Sequence, residues 1–137
     1  MSLENCRLIE IPCNIDDSST LCYFENSYIS GFSIERIYYL NNLLINKTRG
    51  NHAYLNIQQI IIPLNGQITV NLDDGKNKKD YLLKHSTQGL YISELIWRIV
   101  TPRIDKTIIL VLCNKIYKET QKINNYEEFL LLKTKNI

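Results

Sequence analysis

Histidine and glycine are scarce in this sequence. Two histidines, His52 and His85, occur in 137 residues, and the second residue after His52 is Tyr54. Metal-dependent β-barrel enzymes commonly bind their ion with a His-x-His pair, a carboxylate and a third histidine, so neither the number nor the spacing of the histidines predicts a metal site. The five glycines form no GxGxxG or GxxxxGK loop. A phosphate group would therefore be held by arginines and backbone amides, and no GxSxG motif indicates a serine nucleophile.

Other absences narrow the class of protein. No apolar run is long enough to span a membrane, and the first residues, MSLENCRLIEIPC, lack the features of a secretory signal. The formal net charge is +2 without a long block of one sign, which gives no indication of nucleic-acid binding. The cysteines lie among apolar neighbours without CxxC spacing, as buried thiols do in a reducing compartment: Cys6, Cys13, Cys22 and Cys113. These features predict a cytoplasmic protein without disulfides or zinc, folded as a single domain over residues 1–137.

Short segments rich in Ile, Val, Tyr and Thr are abundant, and turn residues separate them. They predict strands at 7–11, 20–24, 33–40, 57–64, 67–72, 79–83, 90–92, 95–100 and 106–113. This number of short strands is typical of an all-β sandwich or barrel. The tail, 120–133, has a pattern that fits a helix, although its end also fits a last strand.

Two dipeptides predict tight turns. Asn65-Gly66 and Asp74-Gly75 lie between predicted strands and supply the positive-φ positions of type I′ hairpins. We therefore expect the strands 57–64, 67–72 and 79–83 to pair consecutively as antiparallel neighbours.

Strand alternation groups several polar side chains. Arg36 and Tyr38 share one face of the strand 33–40, and His52 and Tyr54 share a face if residues 51–56 are extended. Gln59 faces the same way as Ile61. Polar groups inside a small barrel cost several kcal/mol unless they are paired or face a ligand cavity.

A neutral imidazole beside a tyrosine and an arginine can remove a proton next to a carbonyl and stabilise the resulting enolate. The alternative is that His52 belongs to a surface loop and Arg36 is an exterior charge. His85 has the sequence context of a turn residue. Trp97 and Arg98 point to opposite faces, so Trp97 either belongs to the core or walls a binding site.

Several segments, in this order and spacing, resemble the bacterial sugar 3,4-ketoisomerases, cupins that act on dTDP-4-dehydro-6-deoxy-D-glucose. The most specific are RGNHA (49–53) and GLYISELIWR (89–98); the others are RIYYL, QITVNLDDGK, IILVLCNKIY and NYEEFL. The similarity extends from about Cys6 to about Leu131. It implies a jelly-roll (double-stranded β-helix) cupin barrel of antiparallel strands with a short helical or irregular C-terminal tail.

The resemblance also implies an activity and a site. Family members move the sugar ketone from C4 to C3 without metal or other cofactor, supply 3-amino-3,6-dideoxyhexose synthesis for bacterial surface glycans, and form dimers that exchange N-terminal strands. By position, His52 is the implied base and Tyr38 a proton donor. Arg36 and Arg49 are the implied diphosphate ligands. The remaining pocket residues are Gln59, Trp97 and Arg98.

The sequence departs from the family pattern in one important place. Where the family commonly reads RGxHAHK, this chain reads RGNHAYL, so Tyr54 stands in place of a second histidine. Either His52 serves both carbons, or Tyr54 or Tyr38 acts as the acid. Two alternatives remain: a dTDP-sugar 3,5-epimerase-like cupin, which would need an aspartate beside its histidine, and a nucleotide-sugar-binding cupin without catalysis.

Overall fold

Residues 1–135, which a computed structural model of the chain describes, form twelve strands and one helix. The strands are Arg7–Glu10 (β1), Cys13–Ile15 (β2), Thr20–Cys22 (β3), Arg36–Leu40 (β4), Arg49–Tyr54 (β5), Gln59–Asn65 (β6), Ile68–Asp73 (β7), Lys78–Leu83 (β8), Gln88–Ile92 (β9), Trp97–Pro102 (β10), Ile108–Cys113 (β11) and Lys122–Ile123 (β12). The helix is Tyr126–Lys135 (α1), and 3-10 turns lie at Leu3–Asn5 and Tyr117–Glu119. The prediction of an all-β fold is confirmed.

The strands form two five-stranded sheets and a separate hairpin. The first sheet has the order β1-β9-β6-β11-β4, the second has the order β12-β5-β10-β7-β8, and β2 pairs with β3. The ladders within both sheets are antiparallel. Strands that are distant in sequence become neighbours, as they do in a jelly roll.

Alternating side chains divide the buried apolar residues among three clusters, two of which lie on the two faces of the first sheet. Between the sheets lies a core that includes Ile61, Val70, Leu90 and Val111. The opposite face of β6 carries Ile60 and Ile62 into a second cluster, which is covered by segments from the first third of the chain. Burial of such aliphatic side chains contributes about 1.5–3 kcal/mol each.

The outer face of the second sheet is covered by α1. Phe129 is fully buried against Trp97, with ring centroids 5.5 Å apart, and Ala53 and Ile123 belong to the same cluster. The end of the tail 120–133 is therefore helical, as one of the two alternatives had it, and the alternative of a last strand at that end is wrong, because the short β12 comes before α1. In residues 1–135 no helix is long and apolar enough to cross a membrane.

One predicted hairpin is wrong. Asp74-Gly75 lies between the paired strands β7 and β8 as expected, although φ is positive only at Gly75, so the turn is not of type I′. The strands on either side of Asn65-Gly66 lie in different sheets. Gly66 has φ +86°, and a Cβ there would lie 2.2 Å from Thr107 Oγ1. The glycine is needed for a close crossing between the sheets, and local turn chemistry does not reveal which strand becomes the partner.

The cysteines differ in exposure. All four are free thiols, and Cys6 and Cys113 are buried as expected. Cys22 is exposed and Cys13 is half-buried, contrary to the expectation of uniformly buried thiols. Both belong to the separate hairpin, which has no apolar layer of its own to cover them.

Candidate active site

A cavity of about 850 Å³ lies between the two sheets. The first sheet lines it through β4, β6 and β11, the second through β5 and β10, and the segment after β11 closes one side. Its cationic lining residues are Arg36, Arg49, Arg98, Lys118 and Lys122. Within the described chain no aspartate or glutamate lines it. Such a site favours an anionic ligand.

A β-bulge aims the histidine into this cavity. In the ladder between β5 and β10, Arg98 pairs with His52 and Ile99 with Gly50, so that Asn51 is the extra residue. Gly50 and Asn51 both have positive φ, +83° and +60°, a conformation that glycine and asparagine adopt more readily than other residues. Asn51 turns outward and its Oδ1 accepts a hydrogen bond from Trp97 Nε1 at 3.2 Å. The next side chain, His52, faces the cavity as predicted.

The surroundings of His52 keep its imidazole neutral. The residue is 9 % exposed, and within residues 1–135 its Nδ1 has no hydrogen-bond partner. Burial, followed by the positive charges of Arg98 and Lys122, lowers the pKa of His52 to about 4. A neutral imidazole has one unprotonated nitrogen, which can accept a proton at ordinary pH.

Arg98 is a buried cation whose hydrogen bonds within the described chain go to uncharged oxygens. The residue is 2 % exposed; Nη1 donates to Gln59 Oε1 at 2.6 Å, and Nη2 donates to Ile96 O at 2.9 Å. Burial lowers the pKa of the guanidinium, but arginine remains charged in proteins. A buried charge held only by dipoles is ready to stabilise negative charge on a ligand.

Gln59 connects Arg98 to Tyr38. While its Oε1 accepts from Arg98, its Nε2 donates to Tyr38 Oη at 3.3 Å and to Cys113 Sγ at 3.4 Å. Burial raises the pKa of Tyr38 to about 12. The phenol therefore stays protonated and can act as a hydrogen-bond donor to a ligand.

Aromatic rings hold two of the arginines. The Arg36 guanidinium lies between the rings of Tyr38 and Tyr117, at 4.6 and 5.0 Å from their centroids. The Arg98 guanidinium lies 5.2 Å from the Tyr54 ring, which in turn contacts the His52 ring edge to face at 4.7 Å. Cation–π contacts of this kind orient a guanidinium without neutralising it.

Seven of the eight candidate site residues line the cavity: His52, Tyr38, Tyr54, Arg36, Arg49, Gln59 and Arg98. Trp97 does not. It is 5 % exposed on the opposite face of β10 and packs against Tyr126 and Phe129. Trp97 is therefore a core residue and does not wall the binding site. His85 is an exposed turn residue after β8, as its context indicated.

Sequence reasoning missed the closing segment. Tyr117, Lys118 and Lys122 line the cavity, although they follow the last long strand in what reads as a tail. The pairing of β12 with β5, Lys122 opposite Tyr54, brings them there. A strand of two residues gives no periodic signal, so only the fold reveals this part of the site.

In residues 1–135 no group of three or more His, Cys, Asp or Glu is arranged to hold a metal.

Comparison with known proteins identifies the family. The family described as FdtA, "WxcM-like, C-terminal", matches residues 4–134. The TDP-4-oxo-6-deoxy-alpha-D-glucose-3,4-oxoisomerase of Aneurinibacillus thermoaerophilus is 31% identical over 127 residues, which cover 93% of this chain and 91% of that one. The chain belongs to the FdtA family of sugar 3,4-ketoisomerases.

Solved structures of sugar 3,4-ketoisomerases share this fold. QdtA, a sugar 3,4-ketoisomerase from Thermoanaerobacterium thermosaccharolyticum in complex with TDP, is 30% identical, with a TM-score of 0.93 and 99% of each chain covered. WlaRA, the TDP-fucose-3,4-ketoisomerase of Campylobacter jejuni, is 35% identical, with a TM-score of 0.85 and coverage of 94% of this chain and 96% of that one. The expected cupin fold is confirmed.

Proposed function

We propose that this protein is a sugar 3,4-ketoisomerase that converts dTDP-4-dehydro-6-deoxy-D-glucose into the dTDP-3-dehydro-6-deoxyhexose. The observation that carries the proposal is a neutral imidazole, His52, in a cavity whose charged lining residues, within the described chain, are all cations. Family membership and the named activities of the relatives support the same substrate class. The product would be the substrate of an aminotransferase in 3-amino-3,6-dideoxyhexose synthesis for bacterial surface glycans.

The first half of the reaction removes a proton from carbon. The C3 hydrogen lies α to the C4 ketone, so its loss leaves a C3–C4 enediolate with negative charge on O4. His52 accepts this proton, because its low pKa leaves it unprotonated before substrate binds. The buried Arg98 guanidinium and the protonated Tyr38 phenol are placed to stabilise the developing oxyanion.

The second half returns a proton to the neighbouring carbon. The imidazolium of His52 protonates C4, the C3 hydroxyl loses its proton as the C3 ketone forms, and O4 gains one to become a hydroxyl. We assign the transfer between the two oxygens to a tyrosine hydroxyl, Tyr54 or Tyr38, because both line the cavity. Protons and electrons balance within the sugar, so the step needs no oxidant or reductant.

The nucleotide diphosphate is assigned to the cationic mouth of the cavity. Arg36 and Arg49 are the proposed ligands, and Gln59 and Arg98 line the deeper part. Lys118 and Lys122 lie on the closing segment and add positive charge to the same cavity. Guanidinium groups suit phosphate oxygens because they donate paired hydrogen bonds.

The deciding experiment incubates the protein with dTDP-4-dehydro-6-deoxyglucose in D₂O and follows the sugar by NMR. A new 3-keto product supports the isomerase, whether or not deuterium appears at C4, since internal proton return would leave C4 unlabelled. Deuterium at C3 and C5 with a lyxo product would identify a 3,5-epimerase instead. An unchanged sugar with saturable shifts of protein signals would identify a binding protein.

One feature of the site disfavours the epimerase. That chemistry was expected to require an aspartate beside the histidine, and within residues 1–135 no aspartate or glutamate lines the cavity that His52 faces. The binding protein is less favoured because simple recognition of a nucleotide sugar does not require an imidazole kept neutral beside two cations.

We also propose that the protein acts as a homodimer. Ile37 and Tyr39 project from the outer face of the edge strand β4 and are 61% and 66% exposed, an arrangement that favours a further layer of protein. Light scattering after gel filtration should give about twice the mass of one chain, and Ile37→Asp should reduce it to one. A monomeric wild-type protein would contradict the proposal.

A further inference from the structure

The separate hairpin places two cysteines opposite each other. Cys13 of β2 pairs directly with Cys22 of β3, and the turn between them is closed by a hydrogen bond from Asp16 N to Ser19 O. Beyond the cysteines, Tyr23 N donates to Pro12 O. Neither this pair nor this hairpin takes part in the proposed reaction.

These hydrogen bonds determine the type of the cysteine pair. Hydrogen-bonded and non-hydrogen-bonded pairs alternate along an antiparallel ladder. Because the pairs 16/19 and 12/23 are hydrogen-bonded, the pair 14/21 is hydrogen-bonded as well, and the pair formed by Cys13 and Cys22 is not. Non-hydrogen-bonded pairs bring their Cα atoms to about 4.5 Å, which lies within the range of about 4.4–6.8 Å that a disulfide spans.

The two thiols are also in contact and accessible. Partial desolvation, and then the adjacent Cys13 thiol, raises the pKa of the Cys22 thiol. Cys22 is exposed, whereas Cys6 and Cys113 are buried at 6% and 1% exposure. In a single chain, an oxidant in solution therefore reaches this pair before the other two cysteines.

We propose that Cys13 and Cys22 form a cross-strand disulfide when the protein meets a peroxide, and that this bond fixes the register of the hairpin. The Cys22 thiolate attacks one peroxide oxygen, which gives a sulfenic acid and releases water after proton transfer. The Cys13 sulfur then attacks the sulfenic sulfur, forms the S–S bond and releases a second water. Two thiols are oxidised by two electrons, and one peroxide is reduced to two waters.

Peptide mapping tests the bond on the intact protein. After treatment with hydrogen peroxide at mildly alkaline pH and blocking of free thiols, trypsin releases the peptide 8–36, which contains both cysteines and no internal lysine or arginine. We expect this peptide to be two hydrogens lighter and unblocked. After further cleavage before Asp16 or Asp17 its halves should stay joined until dithiothreitol is added. Chymotryptic cleavage after the exposed Leu21 should slow by about five-fold in the oxidised protein.

Register variants give matched controls. The single variant Cys22→Ser removes one thiol of the pair. The double variant, Cys22→Ser with Leu21→Cys, restores a thiol one position earlier in β3. That position belongs to a hydrogen-bonded pair, and its side chain points to the other face of the hairpin. Neither variant should form the intramolecular bond. The proposal is overturned if wild-type Cys22 stops at sulfinic acid without a crosslink, if the bond joins two chains, or if the double variant closes as readily as the wild type.

Discussion

At the scale of single residues, the site depends on an imidazole that is kept neutral rather than positioned by a carboxylate. Burial lowers the pKa of His52, and the positive charges of Arg98 and Lys122 lower it further. The same cations attract an anionic substrate. One arrangement of charge thus supports both substrate binding and the unprotonated state of His52.

Replacing the base tests this role. His52→Asn should lower kcat by about 10³-fold or more, because no other imidazole lines the described cavity. The affinity for TDP, measured by calorimetry, should change by no more than about three-fold because the cationic lining remains. His85→Asn, on an exposed turn, is the matched control and should behave as wild type. Turnover by the His52 variant at the wild-type rate would remove His52 from the mechanism.

Tyr54 lines the cavity and contacts the His52 ring. Tyr54→Phe keeps the ring beside His52 and Arg98 but removes the hydroxyl. If that hydroxyl moves a proton between the sugar oxygens, kcat should fall about 10–100-fold with little change in KM. Tyr54→His should retain activity. Full activity of the Phe variant would assign the transfer to Tyr38.

At the scale of elements, the bulge in β5 determines where His52 points. A Cβ at Gly50 would lie 3.0 Å from Arg98 O, and the residue has φ +83°. Gly50→Ala should therefore cost about 1–3 kcal/mol in the free energy of unfolding and lower kcat as the bulge shifts. Gly31→Ala is the control, since Gly31 also has positive φ but its nearest neighbour, Arg7 Nη2, is 3.9 Å away. Gly31→Ala should lose stability without losing activity. If Gly50→Ala and Gly31→Ala changed kcat equally, the role of the bulge would be contradicted.

The parts of the site that lie within one strand could be predicted from the sequence. Strand alternation correctly grouped Arg36 with Tyr38, Gln59 with Ile61, and His52 with Tyr54, because each group lies within one strand. The segment 49–54 was not predicted as a strand, since two consecutive positive-φ residues and few branched side chains hide it. Pairings between distant segments, such as β12 with β5, depend on tertiary contacts that no local pattern contains.

Phe129 is the buried residue of helix α1 where the helix packs on the second sheet. Phe129 is fully buried against Trp97, so Phe129→Ala should lower the free energy of unfolding by about 3–5 kcal/mol. Leu131→Ala, in the same helix but at a residue 64% exposed, should change it by less than about 0.5 kcal/mol. Urea unfolding of both variants measures the difference, and similar losses would mean that α1 is not held by this cluster.

At the scale of the whole molecule, the neutral histidine makes folding depend on pH. The pKa of His52 is lowered from 6.5 to about 4 in the folded protein, so between these values the unfolded chain binds a proton that the folded protein does not. Stability is therefore complete above about pH 6.5 and falls as the pH drops toward 4. The full shift corresponds to about 3 kcal/mol, and solvent screening of a partly exposed group lowers this to about 2 kcal/mol.

A variant without the titrating ring isolates this contribution. His52→Gln should unfold with a free energy that changes less between pH 7 and pH 4.5 than that of the wild type, by about 2 kcal/mol. Carboxylate titration is common to both proteins and cancels in the comparison. His85→Gln is the matched control and should retain the wild-type pH dependence. If His52→Gln follows the wild-type curve, His52 is not held neutral by the fold, and the protonation state on which the proposed mechanism depends is wrong.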